Sequence, residues 1–359
     1  MKKNSVLNVS IIFLLVLGAT ASQAGASVIT VDTDGGANYT SIQEAVDRAQ
    51  NGDIIVVFPG VYKENVKVNK ELTITSNSNL TGDEFNRTYI IGAFPDSNVF
   101  SINSNNVTIE GFQISGGPSR TEKYEVGISL DRVNNCSLIN NALIMNGMGI
   151  LLTGAQGNYI VNNLASFGSE GISLVNSEEN LLSDNLALVN GNGISLNNSM
   201  NNTLINNSAE SNSIGIYMDT AAGNLLSYNF ISRNDYGVLG KNSQSNSLIN
   251  NSLYLNEVGV YLNRSSGNSI YENNFGNFFD AVDEGNNIWN STSAGNYWRN
   301  YTGVDADGNG IGDTPYAVNQ TTGSIDYMPL MNMTSSGSSN SENMSENPSE
   351  NPMGNSSET

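Results

Sequence analysis

The chain has 359 residues, of which 38% are hydrophobic and only 13% charged, with 36 glycines, and its formal net charge is −20. A surface so acidic repels phosphate backbones, which excludes nucleic acid as a partner. The absence of histidine removes His-dependent triads, His-ligated zinc and His general bases in one step, and the single cysteine, Cys136, excludes an intramolecular disulfide.

Residues 1–26 read as a secretory signal: Lys2 and Lys3 supply the positive end, Val9 to Leu17 a short apolar run, and Ala24-Gly25-Ala26 a small-residue cleavage site. The mature chain is therefore expected to work outside the cytoplasm, secreted or at the cell surface, with no membrane-spanning segment. Sequons of the form N-x-[ST], among them Asn38, Asn106, Asn135, Asn197, Asn201, Asn206, Asn250, Asn263 and Asn300, agree with that address.

Residues 27–126 are expected to form an N-terminal cap and the first, irregular coils of a solenoid. Val28 to Val31 is a strand. Ser41 with Glu44 three residues on makes a capping box, and Ile42, Ala45, Val46 and Ala49 give one apolar face. Such a short amphipathic helix can plug the open end of a coil of strands. Asp53 to Phe58 and Val61 to Val68 then begin the rungs, and Gly116 to Glu125 is a polar insertion leaving one corner.

From residue 127 to 276 the chain is a repeat. Gly followed by Ile or Val returns every 22 residues, at Gly127, Gly149, Gly171, Gly193, Gly215, Gly237 and Gly259. Asn sits nine residues after most of these glycines (Asn158 to Asn268), fourteen after (Asn141 to Asn273) and nineteen after (Asn146 to Asn256). Apolar columns such as Ile128, Ile150, Ile172 and Leu138, Ile160, Leu182 lie between them. Segments of three to five residues are too short for helices and suit strands. The spacing predicts a right-handed parallel β-helix with three short strands per coil, each pairing with its copy about 4.8 Å away. Asn suits the corners because it tolerates left-handed backbone angles and its amide can bond to the corners above and below. Cys136 occupies one Asn position and reads as a small buried thiol.

Residues 277–333 hold both tryptophans, Trp289 and Trp298, and are expected to cap the other end. Residues 334–359 are Ser, Asn, Glu, Pro and Gly with almost nothing to bury, and are expected to be disordered.

The run Tyr39-Thr40-Ser41-Ile42-Gln43-Glu44-Ala45-Val46, the stretch Gly52 to Val66, the 22-residue units, and the Gly295-Asn296-Tyr297-Trp298 and Asp326-Tyr327-Met328-Pro329-Leu330 endings resemble the NosD-like family, over about residues 28 to 331. The resemblance implies the β-helix class of carbohydrate-binding proteins and sugar hydrolases, in the form common among archaeal cell-surface proteins. It implies no single reaction, because that fold hosts many functions.

Three groups of residues are candidates for chemistry. Asp305, Asp307, Asn309, Ile311 (through its carbonyl) and Asp313 match the first nine positions of a calcium loop around the obligatory Gly310. Position 12 is Tyr316 instead of Glu, so the shell needs another carboxylate, for which Asp326 is the candidate. A Gly-rich turn whose Asp side chains cap their own backbone is the alternative. On the outward face of the first strand, Tyr217 and Tyr261 stand two coils apart with Asp219, Lys241 and Asn263 beside them. Aromatic faces framed by amides and a carboxylate suit a sugar chain; scattered aromatics on an exposed sheet are the plain alternative. Lys241 beside Asp219 reads as a cross-rung ion pair.

For catalysis, Asp235 and Glu257 at the same offset in adjacent coils, with Arg233 close, are the best-placed carboxyl pair in the repeat. Solvent-facing acids recur on any acidic surface, and plain solvation is the favoured reading of the pair. The resemblance also brings in copper delivery, but copper wants imidazole or soft ligands. The mature chain offers one thiol and scattered methionines, such as Met328, Met331 and Met333, so copper is not expected. The sequence therefore favours a non-catalytic envelope protein that binds or organises polysaccharide or other cell-envelope components. A polysaccharide lyase or glycoside hydrolase is the first rival and a copper accessory protein the second.

Overall fold

The computed structural model describes residues 25–77, 87–94, 97–116, 125–319 and 322–335. The signal segment almost to its end, most of the polar insertion, and nearly all of the C-terminal tail lie outside these residues, as do four further sequons at Asn79, Asn86, Asn343 and Asn355.

Among the described residues, three long parallel sheets of 11, 10 and 11 strands run side by side along the molecule, each strand pairing with its copy one coil away. Within a repeat the chain passes from a six-residue strand in the ten-stranded sheet, such as Asn192–Asn197, through Thr203–Ile205 in the second sheet and Ser208–Glu210 in the third. It then re-enters the ten-stranded sheet at Ile214–Asp219, with Ile194 opposite Ile216 and Ser195 opposite Tyr217. The registers advance by 22 residues, as the repeat demands. The aliphatic columns face inward: Ile150, Ile172, Ile194, Leu182, Leu204 and Leu226 are all fully buried. This is a right-handed parallel β-helix.

The asparagine ladders are built differently from the corner role expected of them. The left-handed residue at each corner is the one before the ladder asparagine: Asn201, Asn206 and Ser211 have φ of 56°, 56° and 55°, ahead of Asn202, Asn207 and Asn212. The ladder residues themselves are buried. Asn207 Nδ2 donates to Asn229 Oδ1 at 3.0 Å and to the Leu182 carbonyl at 2.9 Å, while its Oδ1 accepts from both the backbone N–H and the Nδ2 of Asn185. Turning the backbone inward leaves peptide groups that the sheets cannot pair, and a planar amide with two donors and a two-lone-pair acceptor satisfies them from within. Asn therefore occupies these columns for its amide, and its neighbour absorbs the turn. Even Val189 and Leu255 hold φ of 55° and 57° in that neighbouring position, as does Phe167 at 60° ahead of Gly168, which replaces the asparagine once in that column. β-Branched and bulky side chains adopt this region only when the surrounding structure forces them to.

The glycine column is set by space. A Cβ on Gly149, Gly171 or Gly237 would lie 2.5 Å from the carbonyl oxygen of the next glycine in the column. These glycines are not in the left-handed region; they allow the chain to re-enter the ten-stranded sheet closely stacked on itself.

At the N-terminal end, helix α1 (Ile42–Arg48) buries Ile42, Ala45 and Val46 against the first coil. Ser41 accepts from the Glu44 N–H, which is half of the expected capping box. The carboxylate at the helix start comes from Glu64, which accepts from the N–H groups of Ile42 and Gln43 and from Ser41 Oγ. A carboxylate from the turn after the strand Gly60–Lys63 thus ties the cap to the coil it covers. At the other end Phe275, Trp298 and Tyr316 stack at centroid distances of 4.5 and 4.4 Å. Trp289 and Trp298 donate their indole N–H groups to the buried carboxylates of Asp283 and Asp326 at 2.9 and 2.8 Å. This aromatic cluster is held by two buried acids. No helix among the described residues is long and apolar enough to cross a membrane.

Candidate functional site

The outward face of the ten-stranded sheet gathers the polar and aromatic residues that the core and ladders do not use. Tyr217 and Asp219 lie on one strand, and the Tyr217 hydroxyl donates to Asp219 Oδ2 at 3.2 Å. Thr220 Oγ1 donates to the other carboxylate oxygen at 3.1 Å. Lys241 is the register partner of Asp219 one coil on. Its ammonium does not make the expected ion pair: Nζ lies over the Tyr217 ring, 5.5 Å from the centroid. On an exposed surface the ring face and the carboxylate offer comparable attraction, and here the ammonium sits over the ring.

Two coils from Tyr217 in register, Tyr261 donates to Glu284 Oε1 at 2.9 Å, and Asn263 Nδ2 donates to Glu284 Oε2 at 2.6 Å. The Tyr261 ring stacks on Tyr236, with centroids 6.0 Å apart and planes at 26°. Further along the same face Ser195 Oγ lies 2.8 Å from Glu170 Oε2 and 2.9 Å from Ser173 Oγ. Burial, the Asp219 carboxylate and, more weakly, Glu170 all raise the Tyr217 hydroxyl above its ordinary range, so it stays protonated and donating.

All five residues expected at this face thus lie on one sheet, in two groups: Tyr217, Asp219 and Lys241, and Tyr261 and Asn263. Three members were not legible as such: Glu170 and Tyr236 precede the repeat glycine by one residue, and Glu284 lies past the last regular unit. Extending the 22-residue alignment one position toward the N-terminus places Glu170 and Tyr236 in the outward column.

The other candidates lie apart. Asp235 and Glu257 are both exposed at the corner where the chain re-enters the ten-stranded sheet. Arg233, expected beside them, instead has Nη1 3.7 Å from Glu210 Oε2. In the calcium-like loop, Asp305 accepts from the N–H groups of Gly308, Asn309 and Gly310, Asp307 from Asn309, Asn309 from Ile311, and Asp313 from Ala306. These backbone bonds hold the Asp305 carboxyl below its ordinary value. Asp326 does not join the loop, because it is fully buried under the aromatic cap. The site is a self-capped turn in its hydrogen bonding.

The coil architecture with an open polar and aromatic sheet face defines the class of parallel β-helix proteins. Among solved structures the fold is similar to pectate lyase Pel9A, with a TM-score of 0.54 at 14% identity over 78% of this chain and 82% of that one. It is also similar to XylC in complex with xylose, with a TM-score of 0.56 at 12% identity over 72% of this chain and 69% of that one. Residues 103–303, more than half of the chain, match the family described as periplasmic copper-binding protein (NosD), and the chain belongs to that family. A cell surface glycoprotein of Methanothermus fervidus is 35% identical over 135 residues, which is 37% of this chain and 20% of that protein. The match therefore spans about a fifth of that relative's length.

The residues present do not suit the metal in the family's description. The sequence holds no histidine. The one thiol, Cys136, is buried, donates to the Ser104 carbonyl at 3.4 Å, and is pushed up to about 11 by burial. Met333 Sδ accepts from the Tyr254 hydroxyl at 3.4 Å. Among the described residues no three His, Cys, Asp or Glu side chains converge as a metal-holding group.

Proposed function

We propose that this chain is an extracytoplasmic β-helix that binds an envelope glycan along the outward face of its ten-stranded sheet and does not cleave it. The observation that carries the reading is the single surface holding Tyr217, Tyr236 and Tyr261 with Asp219, Asn263, Glu284 and Lys241 between and beside them. Tyrosine rings offer flat apolar contact to the faces of sugar rings, and the carboxylates and amide offer hydroxyl recognition.

Charge narrows the ligand. Glu170, Asp219 and Glu284 face one lysine, so the surface favours neutral or amino-substituted sugars over uronates. Each carboxylate already accepts a hydrogen bond from a neighbouring hydroxyl or amide, which fixes its direction as a recognition group does. The name of the archaeal cell-surface relative and the secretory reading of residues 1–26 support a location outside the cytoplasm.

The test is a glycan array spanning neutral, amino-substituted and acidic polysaccharides, run beside an assay for newly released reducing ends. Retention of a neutral or amino glycan with no release is expected. Release that disappears in Asp235→Asn or Asp219→Asn would make the chain an enzyme instead.

A further inference from the structure

The sequons inside the repeat are chemically unequal once folded. Each needs an accessible asparagine amide and a free hydroxyl two residues on. At Asn197 and Asn263 the hydroxyl is unavailable. Ser199 and Ser265 are fully buried, and each Oγ donates at 3.0 Å to the carbonyl of its own sequon asparagine. Each also accepts a backbone N–H from the previous coil, from Ser177 at 3.1 Å and Ser243 at 3.0 Å.

At Asn206 and Asn250 the amide is engaged, donating to the carboxylates of Asp184 and Glu272 respectively. Asn135 is exposed, but its Ser137 is buried.

Asn201 differs from all of these. It is exposed, at φ 56° on the turn between the ten-stranded and second sheets, and its amide makes no hydrogen bond within the described residues. Thr203 is half-buried at the start of its strand. The coil above clears the space: Gly223 stands at the matching corner, and a Cβ there would lie 2.5 Å from Asn201 Oδ1. Ladder-bonded Asn202 holds the intervening residue rigidly, with Nδ2 3.0 Å from Asn224 Oδ1.

We propose that Asn201 is the N-glycan acceptor of the repeat region. A polyprenyl-diphosphate-linked oligosaccharide is the donor class. The Asn201 Nδ2 bonds to the anomeric carbon, the anomeric C–O bond breaks, the lipid diphosphate leaves with the bonding pair, and the amide loses one proton. The glycan then projects from the turn, leaving the tyrosine face of the adjoining sheet open.

The experiment is site-localising mass spectrometry of glycopeptides from the full chain isolated from an N-glycosylating source, with Thr203→Val as the matched variant. A saccharide mass on Asn201, with Asn197, Asn206, Asn250 and Asn263 at unmodified mass, is expected. Thr203→Val should lose that mass and keep the parent melting temperature. An unmodified Asn201, or a glycan on Asn197 or Asn263, overturns the proposal. So does a glycan that survives Thr203→Val.

Discussion

Replacing one ladder asparagine should cost far more than replacing its exposed neighbour. In Asn207→Ala four hydrogen bonds disappear from a fully enclosed column: the two that Asn207 donates, to Asn229 Oδ1 and the Leu182 carbonyl, and the two it accepts from Asn185. Each buried group left without a partner costs about 1–3 kcal/mol. The Asn185 backbone N–H loses its acceptor outright, whereas Asn229 Oδ1 still accepts from the Asn207 N–H and Asn185 Nδ2 still donates to the Ile160 carbonyl, giving a loss on the order of 2–4 kcal/mol, a large part of the total stability of many domains. The control is Asn206→Gly, one residue earlier, where glycine keeps the left-handed angle and the loss is an exposed side chain with its surface hydrogen bond to Asp184. Its expected change is about 1 kcal/mol or less. Guanidinium unfolding followed by circular dichroism reads both. Equal midpoints for the two variants, or a loss under about 1 kcal/mol for Asn207→Ala, would refute the view that amide columns hold the coils together.

Further outcomes follow from the same geometry. Gly193→Ala places a Cβ 2.6 Å from the Gly215 carbonyl oxygen, so it should lower the melting temperature more than Gly308→Ala, where the added Cβ meets nothing within 4 Å and only the left-handed φ of 73° is strained. Asp280 and Asp326 are held above their ordinary value chiefly by burial. The folded state therefore binds more protons than the unfolded one between that ordinary value and the raised one, and their contribution to stability falls as pH rises through that window. Melting near pH 4.5 should be at or above that at pH 8, and a marked drop would contradict the assignment. Cys136, pushed up to about 11 and enclosed, should react with a thiol reagent at pH 8 only after unfolding; labelling of the native protein within minutes would place the thiol at the surface. Because the Asp305 loop satisfies its own side chains, chelation is expected to leave the melt unchanged, whereas a rise of several degrees on adding calcium would establish an ion site there.

The coil was legible because a 22-residue period forces one solution: strands too short to be helices, with apolar and amide columns in register. The two caps were legible for the same reason, through the helical spacing of Ile42, Ala45 and Val46 and through the placement of both tryptophans. What sequence reasoning missed depends on contacts between distant residues. Glu64 caps α1 from about 20 residues away, and Asp326 is drawn under Trp298 instead of into the loop near it in sequence. The separation of each ladder asparagine from the left-handed residue beside it is also a property of the folded coil, since both are often Asn. At the candidate site the columns counted from each glycine held Tyr217, Asp219, Lys241, Tyr261 and Asn263. Their bonding through Tyr236 and Glu284 needed the neighbouring column and the irregular last coil.

Whether the tyrosine face recognises sugar is most directly measured by affinity electrophoresis of the intact chain through gels containing a neutral polysaccharide retained on the array. Wild-type protein should be retarded. Tyr217→Ala and Tyr261→Ala, whose rings are partly exposed and outside the core, should migrate as in the blank gel with unchanged melting temperatures. Equal retardation of wild type and both variants would contradict the account.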